Sequence, residues 1–294
     1  MQLEIVDHDY VYPGHVGCPG CGAAIAMRFV LKALEEKTVM VIPACCWSII
    51  AGPYPQSSLQ IPVIHTAFET GGAVASGVRA ALDMQGDIQT TVVTWAGDGG
   101  TFDIGFQALS GAVERNENFL YICYDNEAYM NTGVQRSSST PYGAWTTTTP
   151  NRDWKRMRKK NMVEALVAHR IPYAATASIA YPEDLVRKVQ KAKATKGSRF
   201  LHIFASCPTG WRMPSELAIK IARMAVQTNI FPLYEVEDGV RYTINFMPRG
   251  YLVKEYFHLQ GRFKHLAEQD LDQIQEMVNE DWNLLQRKAG IIQE

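Results

Sequence analysis

Apolar residues are concentrated in two short segments near the middle of the chain. Residues 90–95 (TTVVTW) and 119–124 (FLYICY) are rich in β-branched and aromatic side chains, which is typical of strands buried on both faces of a sheet. Between them, residues 102–113 carry apolar side chains at helical spacing. The order strand, helix, strand predicts a right-handed βαβ crossover within a parallel sheet.

The same patterns extend the prediction to most of the chain. Helices are predicted at 23–34, 71–82, 159–169, 182–193, 216–227 and 266–285, strands at 39–42, 173–176 and 200–205, and a short apolar run at 61–64. Residues 131–150 form a long polar loop, which in a compact domain is usually functional or disordered. Residues 232–263 are aromatic and irregular, so we expect an extended arm that lies on a partner or on the same domain. The fold class is therefore α/β, a parallel sheet flanked by helices.

The composition narrows the class of protein. The chain has 294 residues, of which 47% are hydrophobic and 20% charged, so it can bury a substantial core. Its net charge of −1 gives no global reason to expect binding to nucleic acid or to an anionic membrane. The N-terminus lacks a signal-peptide pattern, and no apolar run reaches the roughly 18 residues of a membrane span. We therefore expect a soluble, cytoplasmic protein.

Polar residues follow both buried strands at the point where each is predicted to end. Asp98 lies in a Gly-Asp-Gly turn after the first strand, and Asn126 follows the second. Ligands bind at the carboxyl ends of strands in open α/β sheets. The glycines permit close backbone approach to a phosphate, and Asp98, Asn126 and the backbone carbonyl of Ala128 offer three oxygens to Mg²⁺.

A solvated acidic turn is the simpler interpretation of Gly-Asp-Gly alone. Its spacing from Asn126, however, is the pattern of a thiamine-diphosphate site. The predicted cofactor-binding residues are Gly97, Asp98, Gly99, Asn126 and Ala128.

The six cysteines are too few for a disulfide scaffold in a chain of this length. Cys18 and Cys21 form a Cys-Pro-Gly-Cys motif in a Gly/Pro-rich loop, where two thiolates can converge on one metal. A zinc knuckle and a thioredoxin-like redox pair are alternatives, and the spacing leaves iron–sulfur and zinc undecided.

A site with four cysteine ligands needs two further thiolates. The candidates are Cys45, Cys46, Cys123 and Cys207. Adjacent residues in an extended chain point to opposite faces, so we expect only one of Cys45 and Cys46 to bind. Cys123 lies within a predicted buried strand and is best interpreted as a core residue. Cys207 follows a strand and enters a turn, where it can reach a neighbouring loop.

These motifs resemble those of the β subunits of the 2-oxoacid:ferredoxin oxidoreductases, and most closely those of the pyruvate:ferredoxin oxidoreductases (pyruvate synthases). The resemblance extends over nearly the whole chain. The matching segments are GHVGCPGCGAAIA (15–27), AGDGGTFDIGFQALSGAVERN (96–116), YICYDNEAYMNTGVQRSSSTPYGAWTTTTP (121–150), IPYAATASIAYP (171–182), CPTGW (207–211) and LQGRF (259–263).

The resemblance implies a domain organisation. Residues 1–231 would form the diphosphate-binding half of a thiamine-diphosphate fold and would also carry the cluster-binding loops. Residues 232–294 would form a C-terminal arm and helix that pack on a partner subunit.

The resemblance also implies the ligand sets. The residues that correspond to the ligands of a [4Fe–4S] cluster are Cys18, Cys21, Cys46 and Cys207. Cys45 stands where the family commonly has glycine. Asp98, Asn126 and the carbonyl of Ala128 correspond to the Mg²⁺ ligands. Asn131 corresponds to a side chain that faces the substrate and the reactive carbon of thiamine, which makes it the catalytic candidate.

The implied activity is the oxidative decarboxylation of a 2-oxoacid, with coenzyme A as acyl acceptor and ferredoxin as electron acceptor. Pyruvate is the leading candidate for the 2-oxoacid. An α subunit would supply the glutamate that activates the aminopyrimidine of thiamine, together with groups that bind the substrate. Subunits of the γ type and of the ferredoxin-like δ type are further expected partners. The chain alone is therefore expected to be inactive.

Some positions depart from the family pattern and leave alternatives open. Trp47-Ser48 and Thr70-Gly71-Gly72 lie near the expected site, so oxalate, 2-oxoisovalerate and aryl oxoacids stay possible substrates. An electron-transfer subunit without catalysis and a non-redox thiamine decarboxylase with structural zinc are alternative functions. The basic run 152–160 is interpreted as a solvated helix face, or as a docking site for ferredoxin or for the phosphates of coenzyme A.

Overall fold

The computed structural model describes residues 6–150 and 152–293. Its strands are β1 (Thr38–Pro43), β2 (Val63–Thr66), β3 (Thr91–Gly97), β4 (Leu120–Asp125), β5 (Tyr173–Ser178), β6 (Arg199–Phe204), β7 (Tyr234–Glu237) and β8 (Arg241–Ile244). Its α-helices are α1 (Gly22–Leu34), α2 (Cys46–Ala51), α3 (Gly71–Met84), α4 (Phe106–Glu114), α5 (Met162–Val167), α6 (Pro182–Ala194), α7 (Pro208–Trp211), α8 (Ala218–Gln227), α9 (Val253–Phe257) and α10 (Glu268–Lys288).

The strands form one eight-stranded sheet with the order β2-β1-β3-β4-β6-β5-β7-β8. The first six strands of this order pair in parallel, and β7 and β8 extend the sheet in antiparallel fashion. Every residue of β3 and β4 is buried, as the continuous apolar runs predicted. The predicted α/β class and the crossover from β3 through α4 to β4 are thereby confirmed.

Alternate residues of each central strand enter two apolar cores, one on each face of the sheet. In β4, Leu120 and Ile122 belong to the core shared with α1, α6 and α8, whereas Tyr121 and Cys123 belong to the core shared with α3, α4 and α5. Cys123 is fully buried, as expected for a core residue. None of the described helices is long and apolar enough to cross a membrane.

Two predicted helices differ from the structure in ways that bear on the site. The helix predicted at 102–113 is divided, because Gly100–Ile104 forms a π-helical turn before α4 begins at Phe106. The backbone N–H of Gly105 donates to the carbonyl of Gly100, five residues earlier, and such turns are frequent at functional sites. The helix predicted from 159 starts later, at Met162, because the side chain of Asn161 caps it.

The C-terminal segment is more ordered than the predicted extended arm. Tyr234–Glu237 and Arg241–Ile244 form a hairpin on the edge of the main sheet, so the interpretation of this part as irregular was wrong. The alternation of apolar and acidic residues in β7, with the sequence YEVE, was the available signal. Beyond the hairpin, Val253, Tyr256 and Phe263 enter the apolar core of the same chain. The domain boundary at 231 and packing on a partner subunit stay predictions.

Candidate functional site

The ends of β3 and β4 bring three oxygen atoms together, as the sequence predicted. The side-chain oxygen of Asn126 lies 2.9 Å from Asp98 Oδ1 and 2.9 Å from the carbonyl oxygen of Ala128. Neighbouring ligands around Mg²⁺, at about 2.1 Å from the ion, are separated by roughly 3.0 Å in an octahedron. The spacing therefore fits an Mg²⁺ coordination shell. With the amide reversed, its NH₂ group would instead donate to both oxygens.

Asp98 is buried and has little polar support of its own. The hydroxyl of Ser137 donates to Asp98 Oδ2 at 2.5 Å. Burial, followed by the charges of Asp125 and Glu127, raises the pKa of Asp98 well above its ordinary value. A bound cation would offset this cost, because it stabilises the ionised carboxylate directly.

The glycine turn permits close packing around this carboxylate. A β-carbon at position 99 would lie 2.4 Å from the ring of Tyr129, so only glycine fits there. The hydroxyl of Tyr129 donates to Asp103 at 2.8 Å, which holds the ring in this place. The glycine turn after β3 therefore packs closely against the loop that follows β4.

A cavity of about 120 Å³ joins the predicted cofactor residues to the cysteine region. Its lining includes Cys45, Cys46, Gly97, Asp98, Gly99, Asn126, Ala128 and Asn131. Phe68, Tyr129 and Met130 add aromatic and apolar surface that no motif had indicated. All predicted diphosphate and Mg²⁺ residues, the catalytic candidate Asn131 and one predicted cluster ligand thus border a single space.

The four predicted cluster ligands lie on three segments that approach one another. The loop of Cys18 and Cys21 packs on the segment before Cys207, because the N–H of Gly22 donates to the carbonyl of Ser206 at 2.9 Å. Burial, and then nearby Cys21 and Cys18, raise the pKa of the Cys207 thiol to about 11. Burial and the neighbouring thiols also raise the pKa of Cys46.

The segments that carry these thiols approach one another, although the four side chains are not closed into a ligand set. Within residues 6–150 and 152–293, no three His, Cys, Asp or Glu side chains are grouped as metal ligands. Four cysteine side chains in one region fit the donor set of either a [4Fe–4S] cluster or zinc, since both bind thiolates. The geometry alone does not choose between them.

A buried charge network, which sequence reasoning missed, lies next to the three oxygens of Asp98, Asn126 and Ala128. Lys159 lies 2.5 Å from Asp125 and 2.9 Å from Glu127, and Arg262 lies 2.6 Å from Glu127. His202 Nε2 is 2.7 Å from Asp125. Burial alone would raise the pKa of Asp125, but Lys159 and His202 hold it below its ordinary value. The network fixes the residues on both sides of Asn126.

The basic run 152–160 supplies part of this network. Lys155 donates to the carbonyls of Ser138 and Thr140 in the long loop, and Lys160 donates to the carbonyl of Phe102 in the π-helical turn. The segment is not helical. The interpretation as a helix was therefore wrong, whereas Arg152, Arg156, Arg158 and Lys160 are exposed, as expected for a solvated face. The lysines stabilise loops around the site.

Comparison with known proteins agrees with this geometry. Residues 45–203 match the thiamine pyrophosphate enzyme family, C-terminal TPP binding domain. The chain is 53% identical over 302 residues to the ketoisovalerate oxidoreductase subunit VorB of Pyrococcus furiosus, covering 99% of this chain and 96% of that protein. It is 49% identical over 281 residues to the pyruvate synthase subunit PorB of Methanothermobacter thermautotrophicus, covering 94% and 97%.

A solved structure supports the fold independently. The 2-oxoglutarate:ferredoxin oxidoreductase from Magnetococcus marinus aligns with a TM-score of 0.60 at 23% identity, covering 75% of this chain and 82% of that chain.

Proposed function

Because this chain belongs to the β subunits of the thiamine-diphosphate-dependent 2-oxoacid:ferredoxin oxidoreductases, we propose that it binds thiamine diphosphate through Mg²⁺ and receives electrons from a decarboxylated 2-oxoacid on a [4Fe–4S] cluster. The observation that carries this proposal is the shared cavity. Asp98 and Asn126 border it on the predicted Mg²⁺ side, and Cys46 borders it on the cysteine side.

Asp98, Asn126 and the carbonyl of Ala128 would hold Mg²⁺, and the glycine turn would let the backbone approach the diphosphate. The 2.9 Å spacing of the three oxygens supports this assignment. When bound, thiamine diphosphate stabilises the carbanion left by decarboxylation, and an iron–sulfur cluster accepts electrons singly. Asn131, on the lining of the cavity, would orient the substrate by hydrogen bonding.

The cavity lacks the charged groups that a 2-oxoacid needs. No lysine, arginine or histidine lies among the described residues that line it, and Asp98 is its only carboxylate. A substrate carboxylate requires a cationic or strong hydrogen-bonding partner, and thiamine requires an activating glutamate. We assign both to an α subunit that completes the site. Subunits of the γ type and of the ferredoxin-like δ type, with ferredoxin as final acceptor, complete the proposed cytoplasmic complex.

Two substrates are supported by the relatives. VorB is named for ketoisovalerate and PorB for pyruvate, and the chain matches both over nearly its whole length. Phe68 and Met130 give the cavity an apolar wall, which suits an aliphatic side chain better than the second carboxylate of oxalate. We therefore propose 2-oxoisovalerate and pyruvate as the candidates, with coenzyme A as co-substrate.

The test uses the anaerobically purified native complex. Iron, labile sulfide, magnesium and thiamine diphosphate are quantified, and reduction of ferredoxin is measured with each oxoacid, with and without coenzyme A. Coenzyme A-dependent reduction by either candidate supports the proposal, and the ratio of kcat/KM values identifies the substrate. Zinc in place of iron would support the non-redox decarboxylase. Iron and sulfide without thiamine diphosphate would support an electron-transfer subunit.

A further inference from the structure

Met130 lies where the cofactor cavity meets the cysteine region. It stands in the loop after β4, directly before Asn131, and its side chain lines the cavity together with Cys46. The same side chain packs on the turn that begins at Cys207. A β-carbon added to Gly210 would lie 2.2 Å from Met130 Sδ and 3.4 Å from Cys207 Sγ. One methionine side chain therefore bridges the two parts of the proposed site.

The turn that Met130 contacts is fixed in two directions. The N–H of Gly210 donates to Cys207 Sγ at 3.4 Å, and Trp211 Nε1 donates to the carbonyl of Asn126 at 2.8 Å. The position of the turn is thus tied both to a predicted cluster ligand and to the predicted Mg²⁺ loop. Glycine at 210 leaves the space that the thioether of Met130 fills.

We propose that Met130 is a positioning residue that excludes water from the space between the cofactor cavity and the iron–sulfur cluster. This inference rests on the proposed function, because it requires a cluster on the four cysteines. A thioether suits the role, since methionine is apolar and flexible and fills irregular gaps. Met130 is neither oxidised nor reduced in this role, and each electron that leaves the substrate enters the cluster.

Water beside a cluster changes its electrochemistry. Reduction adds negative charge to the cluster, and nearby water stabilises that charge, so solvent exposure raises the reduction potential. Shortening Met130 would open the space between the cavity and Cys207. We therefore expect a positive shift of the midpoint potential and faster loss of iron in air.

The experiment compares variants of the native complex: Met130→Ala, Met130→Leu and Gly210→Ala, with Met84→Ala as control because Met84 is 91% exposed. Midpoint potentials are measured by redox titration followed by EPR, and iron retention is measured after exposure to air. Met130→Ala is expected to shift both quantities, and Met130→Leu, which keeps the bulk, is expected to stay near the wild type. Gly210→Ala is expected to act like Met130→Ala, because its β-carbon displaces the thioether.

Four results would separate the possibilities. A wild-type potential and wild-type iron retention in Met130→Ala would overturn the role of Met130. Equal shifts in the alanine and leucine variants would also overturn it, because bulk alone should suffice. If Met130→Ala does not assemble, an unshifted Gly210→Ala overturns it in the same way. A wild-type complex without iron and labile sulfide would instead refute the proposed function, whatever the variants do.

Discussion

The ammonium group of Lys159 lies 2.5 Å from a carboxylate oxygen of Asp125, a residue with no solvent exposure. Asp125 also accepts hydrogen bonds from the hydroxyl of Ser139, at 2.7 Å to each of its oxygens. Because Asn126 follows Asp125 directly, this pair anchors the loop that carries two of the three oxygens of the proposed Mg²⁺ site.

Lys159→Met should destabilise the protein strongly. The substitution would leave the buried carboxylate of Asp125 with His202 and that of Glu127 with Arg262. Breaking a buried ion pair by removing one partner costs about 3–5 kcal/mol, because the other charge is left uncompensated. The free energy of unfolding, measured by chemical denaturation, should fall by this amount.

A matched variant tests whether the loss in free energy of unfolding comes from removing any basic side chain of this run or from removing the buried one. Arg156 belongs to the same basic run but is exposed, so Arg156→Met should change the free energy of unfolding by less than about 0.5 kcal/mol. The double variant Asp125→Asn/Lys159→Met should recover part of the loss, since it removes both charges together. Equal losses in Lys159→Met and Arg156→Met would show that the buried pair does not stabilise the fold.

Ser137→Ala should weaken Mg²⁺ binding without disturbing the fold. Ser137 supports Asp98 Oδ2 by a hydrogen bond of 2.5 Å, and losing such an outer partner of a metal ligand costs about 10–100-fold in metal affinity. The affinity is measured by titrating Mg²⁺ into the metal-free complex in the presence of thiamine diphosphate. Ser110→Ala removes a serine that bonds His169 away from the cavity and serves as the control. An unchanged Mg²⁺ affinity in Ser137→Ala would contradict the assignment of Asp98.

The sequence predicted those parts of the site that depend on local patterns. Buried strands are recognisable from continuous apolar runs, and their ends fixed Asp98 and Asn126 at one edge of the sheet. Residues that tertiary packing brings to the cavity, or to the charge network next to it, carry no such signal. Phe68 lies in a loop without a motif, and Arg262 reaches Glu127 from 135 residues away. Such contacts depend on how the loops pack, and one sequence does not reveal this.

The basic run shows how a compositional pattern can mislead. A cluster of lysines and arginines usually indicates a solvated face, because burying a charge without a partner is costly. Here Lys155 and Lys159 are compensated by carbonyls and carboxylates from loops distant in sequence. The pattern was visible, but the partners that make burial possible were not.

The buried ammonium group of Lys188 should make the free energy of unfolding rise with pH. Burial lowers its pKa to about 8, although Asp184 accepts a hydrogen bond from its ammonium group at 2.6 Å. In the unfolded chain a lysine titrates near 10.4, so between these values the unfolded state binds more protons. The free energy of unfolding should therefore increase by up to about 3 kcal/mol as the pH rises through this interval.

The pH effect is isolated by comparing variants in denaturation experiments at pH 8 and pH 10.5. Lys188→Met should remove the rise, because it deletes the titrating group. Lys196→Met, which changes an exposed lysine, should keep it. A rise of the same size in Lys188→Met would assign the effect to other groups.

The adjacent residues Cys45 and Cys46 offer a direct test of the cluster assignment. Both line the cavity, but only Cys46 is a predicted ligand, while Cys45 is the N-cap residue of α2 and its backbone N–H donates to the hydroxyl of Ser48. Cys46→Ser should lose cluster iron and its EPR signal, because serine is a poor substitute for a soft thiolate. Cys45→Ser should retain both, since a hydroxyl can keep the capping role. For each variant, iron and labile sulfide per chain are measured in the anaerobic complex, and the EPR signal is recorded. Retention of the full iron content in Cys46→Ser, or its loss in Cys45→Ser alone, would reverse the assignment.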